Sequence, residues 1–429
     1  MLSGDTGEAV RKRGAGALAL SVEDAHRRIQ QAALTESAVG RIGLELENHV
    51  VDLGDPARPV CWDRLEPLPA AVREAAGACA VSREPGGQLE LSAPPRASVS
   101  AAVAALRADL DRVRAALAPH GVGLAQVGTD PLRTPRRANP SDRYRAMEEH
   151  FAAVGTVVPG RVTMNATASV QVNLDAGPRR VWPDRVAHAY RLGPALVAIS
   201  ATSPWLCGAP TGWQSSRLRA WFGLDQRRCL PFFDAGSRGT VTDPTTAWAR
   251  FALRAPLMFV RTGDGLSAVR ADVTFEQWVT GEVRLSGRSP TVADLDLHLT
   301  TLFPPVRMRG YLELRYLDAL PTRWWPAVVA VTTTLMDDPV AADLAAEAAE
   351  PTDSLWSQAA HQGLADPRLA NAASRCLHIA ADRVPTELRP AVADLVDLVE
   401  SGRSPGDLLA ERFRAIGPQA ALAELARST

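Results

Sequence analysis

An α+β fold built around an antiparallel sheet is predicted by three features of this 429-residue chain. Several short stretches alternate polar and apolar residues, the period of a strand with one buried face. Others repeat apolar residues at helical spacing. The strands do not alternate regularly with single helices, as a parallel βαβ sheet would require.

The elements follow in order. Arg11-Lys12-Arg13 before GAGALALSV has the outline of a targeting peptide, but Glu23 and Asp24 interrupt the apolar run at once. Ser21 with Asp24 reads as a capping box, so a flexible lead-in over residues 1–20 followed by a helix over Val22–Ala33 is the expectation. A strand follows at Arg41–Val51, then proline-rich loops over Asp55–Pro69. Val99, Val103, Leu106, Leu110, Val113 and Leu117 place one apolar face on a long helix over Ala97–Leu117. Further strands are expected at Val122–Val127, Thr163–Asp175 and Pro305–Tyr316, and helices at Trp182–Ser200 and Thr246–Leu253. After Leu335 the texture turns alanine-rich and charged, as in VAADLAAEAAE and LLAERFRAI, and reads as helical throughout.

Composition removes several classes of function. A net charge of −1 supplies no basic field for nucleic acid. No run approaches the ~18 apolar residues of a membrane span, so a cytoplasmic protein that meets neither nucleic acid nor membrane is expected. The five cysteines contain no CxxC pair, and the histidines no HExxH, so a zinc knuckle or disulfide framework is not indicated. Lys12 is the only lysine, which excludes a Walker A loop and, outside the lead-in, a lysine Schiff base. Codon bias toward arginine accounts for the skew. Any phosphate handled here must nevertheless meet arginine or metal.

Four strands carry polar faces worth comparing. In RIGLELENHV, Glu45, Glu47 and His49 oppose Ile42, Leu44 and Leu46. In QLELS, Gln88, Glu90 and Ser92 oppose Leu89 and Leu91. MNATASVQVNLD carries Asn165, Thr167, Ser169, Gln171, Asn173 and Asp175 on its polar side. VRMRGYLELR carries Arg307, Arg309, Tyr311, Glu313 and Arg315. Any one of these fits a half-buried strand with a wet outer face. Glutamates two residues apart on one face repel, however, and a cation relieves them. Magnesium, which takes oxygen ligands and joins carboxylates to phosphates, suits that donor set. EPGGQLELS then reads as a site element: Glu84 precedes a glycine turn and Glu90 follows it, while Gly86 and Gly87 let backbone N–H groups approach an anion.

IGLELE (42–47), EPGGQLELS (84–92), TASVQVNLD (167–175), SPWLCGAPTGWQSSR (203–217) and FPPVRMRGYLELRYLD (303–318) occur in the order seen in the plant-type glutamate–cysteine ligase family, which the chain resembles over residues 40–320. The arginine bias and the alanine-rich C-terminus make it most similar to the actinobacterial branch that serves ergothioneine synthesis. The resemblance implies a glutamine synthetase-like fold: a curved antiparallel sheet forming an active-site funnel, with helices behind it. It implies a catalytic unit over residues 21–335 with a helical C-terminal part over 336–429 packed on it, and a monomer is the expected state. It also implies joining of the L-glutamate γ-carboxyl to the amine of L-cysteine with MgATP, through γ-glutamyl phosphate. Two or three magnesium ions are expected, with manganese as a substitute. Carried over by motif, Glu45, Glu47, Glu84, Glu90, Glu313 and Gln171 are the expected metal ligands. Arg315, with Glu313, is the expected catalytic group at the transferring phosphoryl, and Arg307 and Arg309 join Arg315 in binding the nucleotide. Arg217, Trp213, Asn173, Gly86 and Gly87 are the expected substrate contacts. Two other readings stay open: a glutamate-activating ligase with a different amine acceptor, and an inactive homologue kept as a binding or regulatory module.

Overall fold

The alternating stretches supply, in whole or in part, the strands of one antiparallel sheet in the computed structural model, which describes residues 20–65, 68–233, 243–263 and 265–427. The strands are β1 (Ile42–Asp52), β2 (Ala80–Arg83), β3 (Leu89–Arg96), β4 (Val122–Ala125), β5 (Val170–Leu174), β6 (Trp205–Leu206), β7 (Ala209–Pro210), β8 (Phe259–Thr262), β9 (Gly265–Ala268), β10 (Val306–Met308) and β11 (Leu312–Leu314). The main sheet runs β10-β11-β5-β1-β3-β2, with β4 pairing the far half of β1; β6–β7 and β8–β9 are separate hairpins. Leu44 lies opposite Val172, and Leu46 opposite Val170 and Leu91, so one face of the sheet is continuously apolar.

That face is covered by helices. Val99–Leu117 turns the six apolar residues read from its spacing inward, and Ser98 caps it by accepting from Ala101 N. Val22–Ala33 forms over the expected residues, with Ser21 Oγ accepting from Asp24 N. The lead-in over 1–19 lies outside the described residues, and Leu20 is already buried. Trp182–Ser200 and Trp325–Asp337 are almost wholly buried at the centre of the helical layer. On them pack Pro339–Ala349 and Pro367–Ala381, and all share one hydrophobic cluster with the sheet. The division expected at residue 335 therefore falls inside a central helix rather than at a linker. At the end of the chain, Pro418–Arg427 lies on β4, where Arg427 Nη2 donates to Leu53 O.

Three expectations differ. Thr163–Asp175 is not one strand: Val157–Asn165 is helical and turns Val162 and Met164 inward, so only Val170–Leu174 joins the sheet by ladder pairing. Pro305–Tyr316 is a hairpin that reverses around Gly310, whose φ of 83° suits glycine. The stretch expected as loop over Asp55–Pro69 includes the helix Trp62–Leu65 and the start of Leu68–Ala75.

Candidate active site

Register assembles the polar face. Glu47 on β1 lies directly opposite Glu90 on β3, and Glu45 lies between Ser92 on β3 and Gln171 on β5. Glu313 on β11 faces Asn173 on one side and Arg307 on the other. Like charges directly opposed across a ladder repel, and here partial burial leaves less water to screen them. Burial first, then Glu90 and Glu313, push the Glu45 carboxyl up from 4.5 to about 7. Burial, then Glu90 and Glu47, push Glu84 up to about 8. Glu47 and Glu90 are raised as well, chiefly by burial.

Neutral donors steady these carboxylates. Ser169 N donates to Glu47 Oε2 at 2.7 Å, and Gln171 Nε2 to Glu47 Oε1 at 3.3 Å. Asn173 Nδ2 donates to Glu45 Oε1 at 2.9 Å, and Ser82 Oγ and Ser92 Oγ both donate to Glu90 Oε1. The amide oxygens of Gln171 and Asn173 are left buried without a hydrogen-bond partner. Unpaired oxygens beside mutually repelling carboxylates are a donor set that fits a hard divalent cation. Among the described residues, no three acidic, histidine or cysteine side chains converge closely enough to enclose an ion as they stand.

A cavity of about 590 Å³ opens over this face, lined by Glu45, Glu47, Glu84, Glu90 and Gln171. The same cavity is lined by cations as well. Arg315 lies against the faces of Trp221 and Phe303, and its Nε and Nη1 are buried without a hydrogen-bond partner. Burial and then Arg307 pull its guanidinium down to about 10. Arg217 Nη2 donates to Arg315 O at 2.7 Å, and its Nη1 has no hydrogen-bond partner. Arg307 grips Glu313 through two nitrogens, with Nη2–Oε1 at 2.9 Å. Carboxylates and incompletely satisfied guanidinium groups lining one cavity suit an anionic, phosphate-bearing substrate that shares a cation with the protein.

The model of glutamate–cysteine ligase family 2 (GCS2) matches residues 41–427. The chain belongs to that family. It is 48% identical over 407 residues to "Glutamate–cysteine ligase EgtA" of Mycolicibacterium smegmatis, covering 95% of each chain. It is 50% identical over 391 residues to the protein of the same name from Mycobacterium tuberculosis, covering 91% of this chain and 90% of that one. A chloroplastic glutamate–cysteine ligase of Medicago truncatula is 30% identical over 322 residues, 70% of this chain and 61% of the relative. Among solved structures, a Francisella tularensis glutamate–cysteine ligase in complex with AMP superposes with a TM-score of 0.55 at 13% identity, over 92% of this chain and 88% of that one. At that identity the likeness concerns the fold, and it agrees with the α+β architecture expected of a glutamine synthetase-like ligase.

In this family 2 chain, the motif residues divide by position. Glu45, Glu47, Glu84, Glu90, Gln171, Arg217, Arg307, Arg309 and Arg315 all line the cavity. Glu313 lies beneath it, fully buried, with Arg307 on both oxygens, Arg309 at 3.6 Å and Arg315 at 3.9 Å. Burial alone would raise its carboxyl, but Arg307 and then Arg315 hold it below the usual range. Asn173 sits on the polar face beside Glu45 and does not line the cavity.

Three expected substrate contacts stand elsewhere. Gly86 and Gly87 line a second cavity of about 320 Å³ behind the turn. A Cβ on Gly86 would come within 2.2 Å of Asn165 O, so its glycine serves close backbone packing. Gly87 has φ 88° and donates its N–H to Glu84 O, so its own amide is already engaged. Trp213 packs its ring on His361 at 4.7 Å between centroids, away from the main cavity. His49 is buried in a structural contact, with Nε2 3.1 Å from Val127 O.

Sequence reasoning missed Trp221, Arg143 and Tyr144, which all line the cavity. Each had a signal. Ser215 caps the helix Ser216–Phe222, so Arg217 and Trp221 fall four apart on one face. Arg143, Met147 and Phe151 repeat at the same spacing on the helix Asp142–Ala153, and all line the cavity.

Proposed function

We propose that this chain is an ATP-dependent glutamate–cysteine ligase. It joins the γ-carboxyl of L-glutamate to the amine of L-cysteine and releases ADP and phosphate, and its product feeds ergothioneine synthesis. The observation that carries the reading is one cavity lined both by a row of repelling carboxylates and by Arg217, Arg307 and Arg315, the last with two buried nitrogens that have no hydrogen-bond partner. Membership of the family and relatives named for this activity support it.

Glu45, Glu47, Glu84 and Glu90, with the free oxygen of Gln171, are the groups that would hold magnesium. Bound there, magnesium neutralises nucleotide phosphates and lowers the repulsion met by an incoming carboxylate. Arg217 holds a carboxylate of glutamate, and its immobility keeps the γ-carboxyl in line with the γ-phosphorus. A γ-carboxylate oxygen attacks that phosphorus, ADP departs, and γ-glutamyl phosphate forms. Arg315 donates to the transferring phosphoryl oxygens from its unpartnered Nε and Nη1. Arg307 and Arg309, at the β10–β11 hairpin, flank the nucleotide phosphates. The cysteine amine then attacks the acyl carbon, and the C–O bond to phosphate breaks. Glu313, engaged by Arg307, holds the arginine cluster in place.

Phosphate release from ATP and glutamate, measured with a panel of amino acids, tests this function. Cysteine should stimulate most. Stimulation by another amine with none by cysteine replaces the acceptor; silence across the panel, with glutamate and ATP still bound, makes the chain a binding module.

A further inference from the structure

Asp318 lies past the end of β11, bridged to Ser169, outside the cavity lining and 1% exposed. Its carboxylate collects donors from a loop more than a hundred residues earlier in the chain. Thr202 N donates to Oδ2 at 3.0 Å, Ser203 Oγ to Oδ2 at 2.6 Å, and Ser215 Oγ to Oδ1 at 3.0 Å. Arg217 Nη1 stands 3.7 Å from Oδ1, near enough for attraction and too far for a hydrogen bond. Two of the donors then bind the helix that carries Arg217: Ser203 Oγ accepts from Arg217 N at 3.2 Å, and Ser215 Oγ from Leu218 N at 3.2 Å. The carboxylate lies close against the Gly128 backbone, where a Cβ would come within 2.4 Å of Oδ2.

The Arg217 guanidinium is thereby held on three sides, none of them substrate. Asp318 attracts one end, Arg315 O accepts from the other, and the Trp221 ring lies 4.7 Å from its carbon. A buried charge pair contributes little to stability compared with apolar packing of the same volume. Its distinctive effect is orientation.

We propose that Asp318 is a positioning residue that presets the direction of Arg217, and so governs affinity for the glutamate carboxylate without touching substrate. The proposal rests on the reading of Arg217 as the carboxylate partner. Asp318→Asn keeps the volume, removes the charge and turns an amide N–H₂ toward a donor. Steady-state kinetics should show the KM for glutamate rising about tenfold or more, with the KM for ATP changed by less than about twofold and kcat falling less than the glutamate KM rises. Ser203→Ala, which removes only the hydroxyl between Asp318 and Arg217, should give the same split in smaller measure and serves if Asp318→Asn does not fold. A glutamate KM left unchanged, or all parameters worsening together as in a collapsed loop, overturns the proposal. Arg217→Lys separates the two levels. If it raises the glutamate KM while the Asp318 and Ser203 variants are silent, only the positioning role fails. If Arg217→Lys is silent too, the reading of Arg217 fails with it.

Discussion

Two guanidinium groups share the Trp221 ring, Arg217 at 4.7 Å and Arg315 at 5.5 Å from its centroid. Like charges so placed need a partner between them, and the indole face provides one at about 0.5–2 kcal/mol per contact. Trp221→Leu should therefore weaken glutamate binding and slow turnover together, by about tenfold each, whereas Trp213→Leu should leave both near normal. Equal effects of the two changes would remove Trp221 from the site. Arg315→Lys keeps a charge but loses the planar fork, and kcat should drop about a hundredfold with the protein still folded. Rapid-quench measurement of the ADP burst would show whether that loss falls on phosphoryl transfer, as expected, or on a later step. The residue types here were legible, since glutamate pairs and arginine on alternating faces point to cations and phosphate. Which tryptophan joins them was not, because that depends on Ser215 starting a helix two residues before Arg217.

At the scale of elements, parity decides the site. Turning VRMRGYLELR into a hairpin around Gly310 leaves Arg307 and Glu313 on one face, because the three residues 309–311 between the paired positions preserve the even spacing. The polar set read from a single strand thus survived an error about the strand itself. What changed was partnership: Arg307 became the cross-strand neighbour of Glu313 and took its oxygens. The β2–β3 turn shows a second case. EPGGQ was recognisable as a glycine turn, but the reason for Gly86 is a helix end pressed against it at Asn165. Gly86→Ala should cost about 1–3 kcal/mol by overpacking and displace Glu84 and Gln88 on either side. Urea unfolding should show the lowered midpoint, and magnesium titration a weaker response. An unchanged midpoint would mean that the turn has slack.

For the molecule as a whole, buried titratable groups predict how stability varies with pH. His49 and His150 are held neutral by burial, each with its pKa lowered from 6.5 to about 4, and His298 to about 3. A depressed histidine contributes stability that is complete above its unfolded value and is lost as pH falls toward the folded one. Acidification below about pH 6.5 should therefore destabilise the fold. The carboxylates act in the other direction. With folded values raised from 4.5 to about 7 and about 8, Glu45 and Glu84 favour the folded state at low pH and lose that contribution as pH rises. Metal-free protein should thus be most stable near about pH 6 and less so at about pH 8. Magnesium should raise the midpoint most at the alkaline end, where the carboxylates are ionised. Calorimetry across that range, with and without magnesium, would settle it; a metal-independent, flat profile above pH 6 would mean that these carboxylates do not repel as their register indicates.

By itself the sequence determined the α+β class, the faces of β1, β3 and β5, the helices Val22–Ala33, Val99–Leu117 and Trp182–Ser200, and the family through its ordered motifs. These rest on periodicity and local capping, which act between residues a few positions apart. Tertiary structure alone decided that Glu47 meets Glu90, that Arg307 occupies Glu313, that Trp221 rather than Trp213 enters the cavity, and that Asp318 reaches back to Ser203 and Ser215. Each depends on strand register or on loop packing between distant segments, and no pattern within one segment encodes the pairing of two.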